Sequence, residues 1–248
     1  IDVDNSKQPN SRWYSGSGIY RDVNLWTGKD VYISHDKLRI TTLSVNDDMA
    51  VIEVCAQLKN IIGHGLEAEC LIEIKKDGQK TASDTQRVVF RSEQMQTVRV
   101  QIPIEHPKKW SPKQPALYEC HITTKFDDKI CDEAVSNFGI RVLALDPVHG
   151  LQINGETVKL RGTCIHHDNG VIGAETFKEA EWYRCKRLKE AGFNAIRSAH
   201  HPMSRAMLDA CDHIGMLVMD ELTDMWDKEK NTYDFSDIFE DEYNQWIN

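Results

Sequence analysis

The sequence lacks any long hydrophobic run, and it has no excess of positive charge. No apolar stretch approaches the roughly 20 residues that a helix needs to cross a bilayer, so we expect no membrane span. The 30 lysines and arginines stand against 39 aspartates and glutamates, which gives a net charge of −9. Binding of nucleic acid requires a basic face, so the composition argues against a nucleic-acid partner. The acids concentrate between Asp220 and Glu242, where they form either a solvated helix face or an acidic rim on a polar pocket.

The cysteines lack the spacing of a disulfide framework or a zinc ribbon. There are seven of them, an odd number, and no CxxC pair occurs. We expect most of them to be buried, reduced thiols, which favours a cytoplasmic location. The first residues, Ile1 to Asn5, contain neither an initiator methionine nor the basic and apolar regions of a signal peptide, so we expect the sequence to start within a longer chain.

Residues 30–141 have the period-two pattern of β-strands. Short runs rich in β-branched residues are separated by turn signals such as Asn46-Asp47-Asp48 and Lys76-Asp77-Gly78, and no helical stretch intervenes. The predicted strands are 31–33, 38–40, 50–54, 68–74, 88–90, 98–102 and 118–122. About seven strands in a segment of this length predict an antiparallel, immunoglobulin-like β-sandwich.

After Pro147 the pattern alternates between strands and helices. We predict strands at 158–162, 193–197 and 216–220, and helices at 176–191 and 203–214, with a third helix beginning near Phe235. A capping box from Thr176 to Glu179 is expected to start the first helix. Three βα units predict a parallel sheet, either a small open sheet or the first part of a barrel. A complete (β/α)₈ barrel needs about 250 residues, and an open sheet would leave apolar strands uncovered, so we favour an incomplete barrel.

Polar side chains follow each predicted strand of this second region. His166 and Asp168 follow the first strand, Arg197 and His200 lie at the end of the second, and the third leads into Glu221 and Trp226. Ligands of parallel α/β folds bind at the carboxyl ends of the strands. Each residue alone could be a solvated loop residue, a structural ion-pair partner or ordinary packing, but together they predict a polar site with an aromatic platform, suited to sugar hydroxyls.

A metal site is an alternative chemistry for the same residues. His166, His167, His200, His201 and Asp168 are residue types that bind metal ions. Inward-facing ligands on a strand are spaced two residues apart, whereas His166 and His167 are adjacent and would point to opposite sides of a continued strand. We therefore rank metal catalysis below sugar chemistry.

Long ordered motifs stand at residues 11–23, at 110–118 with 138–141, at 154–168, at 194–202 and at 211–221. Together these motifs resemble family-2 glycoside hydrolases, the β-galactosidases, β-glucuronidases and β-mannosidases. The resemblance covers essentially the whole chain. It implies three parts: the end of a jelly-roll sugar-binding domain (1–28), an immunoglobulin-like β-sandwich (29–143) and the first three βα units of a TIM (β/α)₈ barrel (144–248).

The resemblance also implies roles for the polar residues. His166 and His200 would hydrogen-bond the sugar and support the transition state, and Arg197 would hold the nucleophile in its ionised form. Asp168 would order the first loop, Glu221 would lie at the same mouth, and Asp224-Met225-Trp226 is similar to the bacterial β-galactosidase branch. Some members carry a glutamate and a histidine as magnesium ligands where this sequence has Met225 and Asp227, so no metal or other cofactor is expected.

The resemblance implies a reaction whose catalytic pair this sequence does not contain. Retaining β-glycosidases use one glutamate as acid/base and another as nucleophile, about 5 Å apart. In the family the first stands in an Asn-Glu pair, and no Asn-Glu dipeptide occurs here. We therefore expect this chain to be part of a retaining β-glycosidase, a β-galactosidase, and to be inactive alone. The complete protein is expected to act on a β-galactoside and is compatible with a homo-oligomer. The alternative is a non-catalytic carbohydrate-binding or scaffold segment.

Overall fold

The computed structural model describes residues 2–11, 17–91, 94–237 and 239–247. Contacts between Cα atoms divide the chain into two compact units, one formed by Asn24–Lys159 and the other by Ile1–Val23 together with Leu160–Asn248. Part of the motif at 11–23, residues 12–16, lies outside the described residues. Among the helices that the structure describes, none combines the length and the apolar character that crossing a bilayer requires.

The first unit is a β-sandwich of two antiparallel sheets. One sheet contains β1 (Val31–Ile33), β2 (Arg39–Val45), β3 (Met49–Asn60) and β6 (Met95–Glu105), and β3 pairs with the other three. The second sheet has the order β5-β4-β7-β8, with β4 at Leu66–Lys76, β5 at Gln79–Phe90, β7 at Tyr118–Phe126 and β8 at Lys129–Phe138. The predicted sandwich is confirmed, and all seven predicted strands are present.

The sandwich core explains why these strands could be predicted. Fully buried residues alternate with partly buried or exposed ones along β3 and β4, and the buried side chains of both sheets form one apolar cluster that includes Ile52, Ile72 and Ile122. Burial of this kind is the main force that stabilises a sheet-on-sheet fold.

A small antiparallel sheet follows the sandwich strands within the same unit. It consists of β9 (Leu143–Asp146), β10 (Gly150–Ile153) and β11 (Glu156–Thr157). The prediction of a strand at 158–162 was wrong: Leu160 is half exposed, and the next strand, β12, spans Gly162–Ile165. The apolar residues Val158 and Leu160 suggested a buried strand, but the residues that pair with β13 are the next ones along the chain, Gly162 to Ile165.

The second unit contains the predicted alternation of strands and helices. In chain order β12 is followed by α1 (Lys178–Glu190), β13 (Ala195–Ser198), α2 (Arg205–Ile214), β14 (Leu217–Met219) and α3 (Phe239–Ile247). The three strands are parallel in the order β12-β13-β14, and Ile165 stands opposite Ser198 in register. A second apolar cluster lies under them, with Ile196, Met207 and Cys211 buried at its centre.

The two helix starts differ in how well the sequence indicated them. Helix α2 begins after Ser204, whose hydroxyl accepts a hydrogen bond from the backbone N–H of Met207, and ends at Gly215 in the left-handed conformation. The predicted capping box at Thr176 is wrong, because α1 begins after Phe177 without any side-chain cap and Thr176 is buried.

Candidate active site at the strand ends

The carboxyl ends of β12, β13 and β14 bring three loops to one edge of the parallel sheet. The strands are in register, so His166, Ala199 and Asp220 leave the sheet at neighbouring positions. Parallel strands place their following loops together at this edge, which is where such folds bind ligands.

Arg197 and Glu221 form the centre of this site. The Nε atom of Arg197 donates a hydrogen bond to Oε1 of Glu221, and its Nη1 atom lies 3.6 Å from the Sγ atom of Cys164. Hydrogen bonds to Glu221 and Cys164, together with the charge of Glu221, raise the pKa of the Arg197 guanidinium. The site therefore holds a fixed positive charge beside the strand ends.

His200 is held by two carboxylates. Its Nδ1 atom lies 3.1 Å from Oε2 of Glu221 and 3.4 Å from Oδ1 of Asp224. The Asp224 side chain is almost fully buried and accepts a hydrogen bond of 2.9 Å from Nζ of Lys230. Carboxylate contacts at Nδ1 fix the orientation of the imidazole.

Four histidines from two loops pair across the edge of the sheet. The rings of His166 and His200 meet edge to face with centroids 5.7 Å apart, and those of His167 and His201 meet in the same way at 4.3 Å. In the described part of the chain, no three His, Cys, Asp or Glu side chains are arranged to hold a metal ion.

The predicted site residues do not all come together. Arg197 and His200 each contact Glu221, and His166 packs against His200. Asp168 has an exposed side chain, while its backbone carbonyl accepts a hydrogen bond from Arg184. Trp226 is 59% exposed, with its ring 5.6 Å from the ring of Phe239.

Sequence reasoning missed several residues that support the site. Asp224 and Lys230 form the ion pair behind His200, and Glu181 and Arg184 of α1 connect to the His166 loop. The i, i+3 spacing of Glu181 and Arg184 was the available signal for the second pair. Asp224 and Lys230 are separated by an irregular loop, for which the sequence has no comparable pattern.

A second polar cluster lies around His167 and His201. The ring of Tyr20 stacks on that of His167 at 5.0 Å, and Arg21 donates a hydrogen bond to the backbone carbonyl of Pro202. Burial first, and then the charges of His167 and Arg21, lower the pKa of His201 to about 4. Burial and the charge of Arg21 lower the pKa of His167 as well.

We expect His201 to remain neutral well below the pH at which a free histidine becomes protonated. Its pKa is about 4 in the folded chain and near 6.5 in an unfolded one, so the unfolded state takes up the proton first. The contribution to stability is complete above about pH 6.5 and is lost as the pH falls towards 4. An NMR titration of the imidazole resonances measures the midpoint.

The variant Arg21→Gln tests the cause of this shift. It removes a positive charge that lowers the pKa of His201, so the midpoint is expected to rise. Arg187→Gln is the control, since Arg187 is an exposed residue of α1 paired with Glu190. A His201 midpoint near 6.5 in the unmodified chain would contradict the expectation.

The fold and the site together define a class of protein, and comparison with known proteins identifies its family. An immunoglobulin-like sandwich is followed by the first part of a TIM barrel. The family model described as "Glycosyl hydrolases family 2" matches residues 31–141, and the one described as "Glycosyl hydrolases family 2, TIM barrel domain" matches residues 148–238. The chain belongs to glycosyl hydrolase family 2.

Named relatives and solved structures agree with this assignment. The beta-galactosidase BoGH2A of Bacteroides ovatus is 33% identical over 99% of the chain, and a beta-glucuronidase of Bacteroides fragilis is 28% identical over 83% of it. A family-2 crystal structure from Bacteroides cellulosilyticus is 35% identical, covers 96% of the chain and has a TM-score of 0.88. A beta-glycosidase structure from Bacteroides vulgatus is 29% identical over 96% of the chain, with a TM-score of 0.83.

The match covers only part of each relative. The chain spans 29% of BoGH2A, 30% of the Bacteroides fragilis beta-glucuronidase and 31% of the Bacteroides cellulosilyticus structure.

The resemblance places two magnesium ligands of the family at the positions of Met225 and Asp227, and the Met225 side chain does not suit that ion. Met225 is buried with 2% of its surface exposed, and Asp227 is an exposed residue two positions further on. Magnesium takes oxygen ligands, and a thioether sulfur is not one of them. We therefore assign no step of the reaction to magnesium at this position.

Proposed function

We propose that the chain is part of a retaining β-glycosidase that hydrolyses terminal β-linked galactosides, and that the two catalytic glutamates belong to a longer protein, the parent protein. The observation that carries the proposal is the contact of Arg197, His200 and Glu221 at the strand ends of a family-2 barrel segment. The relative BoGH2A, a named beta-galactosidase, supports the choice of sugar.

The proposed reaction needs two carboxyl groups about 5 Å apart, one to protonate the leaving oxygen and one to attack the anomeric carbon. Near such a pair, the guanidinium of Arg197 would favour the ionised form of the nucleophile. The imidazoles of His166 and His200 would hydrogen-bond sugar hydroxyls and keep the ring oriented towards the nucleophile. We propose these roles for the side chains, with no resident metal at the position of Met225.

The same site argues against a purely structural role. A scaffold would gain little from a part-exposed arginine tied to a carboxylate at the mouth of a sheet, because such pairs contribute little to stability. A carbohydrate-binding module would need only hydrogen-bonding and stacking groups, whereas Arg197 adds a charge suited to a catalytic carboxylate.

The identity of the sugar can be tested with a panel of aryl glycosides. We expect the parent protein to cleave the aryl β-galactoside with a kcat/KM at least about 100-fold above that for the β-glucuronide or β-mannoside, since a site built for one set of hydroxyls rejects sugars that leave its polar groups unpaired. Release of nitrophenol measures each rate. Preference for the glucuronide would overturn the choice of galactose, and inactivity on every sugar would overturn the glycosidase.

A further inference from the structure

We propose that Glu181 and Arg184 of helix α1 are positioning residues that fix the loop bearing His166, and through it the place of the His166 imidazole in the sugar site. We name this pair with its loop contacts the α1 clamp. The role in sugar binding rests on the proposed function, whereas the holding of the loop does not.

The clamp joins the helix to the loop through one guanidinium. The Nη1 atom of Arg184 donates hydrogen bonds of 3.0 Å to the backbone carbonyls of His166 and Asp168. Its Nη2 atom donates to both carboxylate oxygens of Glu181, at 3.1 and 2.8 Å. The two carbonyls bracket His167, so one side chain fixes three consecutive loop residues.

The loop that bears His166 also donates a hydrogen bond to the carboxylate of Glu181. The Nδ2 atom of Asn169 donates a hydrogen bond of 3.0 Å to Oε1 of Glu181. Glu181 therefore receives donors from both the helix and the loop, and its side chain is completely buried. A planar guanidinium can satisfy a carboxylate and two carbonyls at once, which a lysine ammonium cannot do with the same geometry.

The location of this ion pair is more easily explained by positioning than by stability. Taking a glutamate and an arginine out of water costs free energy that their attraction often fails to recover, and well-packed apolar residues at such places are frequently as stable. The neighbouring pair Arg187–Glu190 has the same residue types on the same helix, but its side chains are 63% and 47% exposed. The Glu181–Arg184 pair, by contrast, is buried and bonded to the residues that follow β12.

The α1 clamp acts on the sugar site through the contact between His166 and His200. His200 is oriented by Glu221, and the ring of His166 lies 5.7 Å from that of His200. The backbone carbonyl of His166 is one of the two atoms held by Arg184, so the clamp sets where this ring stands. An error of about 1 Å in a positioning group can lower a rate about 100-fold.

A double-mutant cycle in the parent protein tests the clamp. We expect Arg184→Met and His166→Ala each to lower kcat/KM for the preferred aryl glycoside by on the order of 100-fold. If Arg184 acts through His166, adding Arg184→Met to His166→Ala should cost less than about 3-fold more. Glu181→Gln should show a smaller loss in the same direction, and Arg187→Met should leave kcat/KM unchanged.

A second measurement separates the clamp from the glycosidase itself. In the 248-residue chain, Arg184→Met should shift or broaden the imidazole NMR resonances of His166 while leaving those of His149, which belongs to the other unit, unchanged, and Arg187→Met should change neither. If Arg184→Met does not fold, Arg184→Lys serves in its place, because lysine keeps the positive charge but lacks the planar guanidinium that bonds Glu181 and the two carbonyls at once. Fully additive losses in the cycle, or unchanged His166 resonances, would overturn the proposal; an inactive parent with shifted resonances would overturn only the proposed function.

Discussion

The 248-residue chain by itself is expected to release no nitrophenol from an aryl β-galactoside above the rate in buffer. Enzymes accelerate such reactions by at least about 10⁶-fold, and in a retaining glycosidase this depends on two available carboxyl groups. In the described part of the chain, three carboxylates that follow β14 are already engaged: Glu221 by Arg197 and His200, Asp224 by Lys230 and His200, and Asp220 by the backbone N–H of Met203.

The measurement compares the chain with the parent protein at equal molar concentration. Both should be produced in a host that lacks its own β-galactosidase, because a trace contaminant would imitate activity. The parent should be active and the chain inactive. Activity of the chain would refute the expectation and point to Glu221 and Asp224, the two carboxylates that share His200; the variant Glu221→Gln would then abolish it.

Replacing Arg197 by methionine in the parent protein should have the next largest effect. We expect kcat/KM to fall on the order of 100-fold or more, as when one preorganised donor is removed from an active site. A positive charge beside a carboxylate lowers the pKa of that carboxylate, so its removal raises this pKa. The acidic limb of the pH–rate profile should therefore move to higher pH.

Two comparisons make the Arg197 experiment specific. Arg197→Lys keeps the charge without the two-pronged geometry, so part of the rate and the original acidic limb should return. Arg205→Met changes an exposed arginine at the start of α2 and should have no effect. A loss of rate without any shift of the acidic limb would mean that Arg197 acts on Glu221 alone and not on the nucleophile.

The sandwich could be predicted from sequence wherever one face of a strand is uniformly apolar. The exception is β8, which no prediction included. Its side chains at even positions include Asp132, whose carboxylate accepts a hydrogen bond from the backbone N–H of Ile33, and the part-buried Ser136. A strand whose inner face carries polar groups that are satisfied by neighbouring strands loses the alternation on which prediction depends.

The site was predictable up to the strand ends and less so beyond them. The rule that ligands meet the carboxyl ends of parallel strands led to Arg197, His200 and Glu221, which are in contact. The same rule could not distinguish Asp168, whose side chain points to solvent, from its neighbour His166. The rule also did not identify Lys230, because the path of the loop after Asp224 depends on irregular hydrogen bonds within the loop, such as those that Asp234 accepts from the backbone N–H groups of Lys230 and Asn231.

The paired histidines impose a common spacing on two loops. His166 and His167 follow β12 directly, and His200 and His201 follow β13, so each neighbour in one loop meets its counterpart in the other. Inserting one residue between Ile165 and His166 would shift both pairs together and bring His166 towards the place of His167. The lengths of these two loops are therefore coupled. A change of one residue in the length of one loop keeps the rings paired only if the other loop changes by one residue as well.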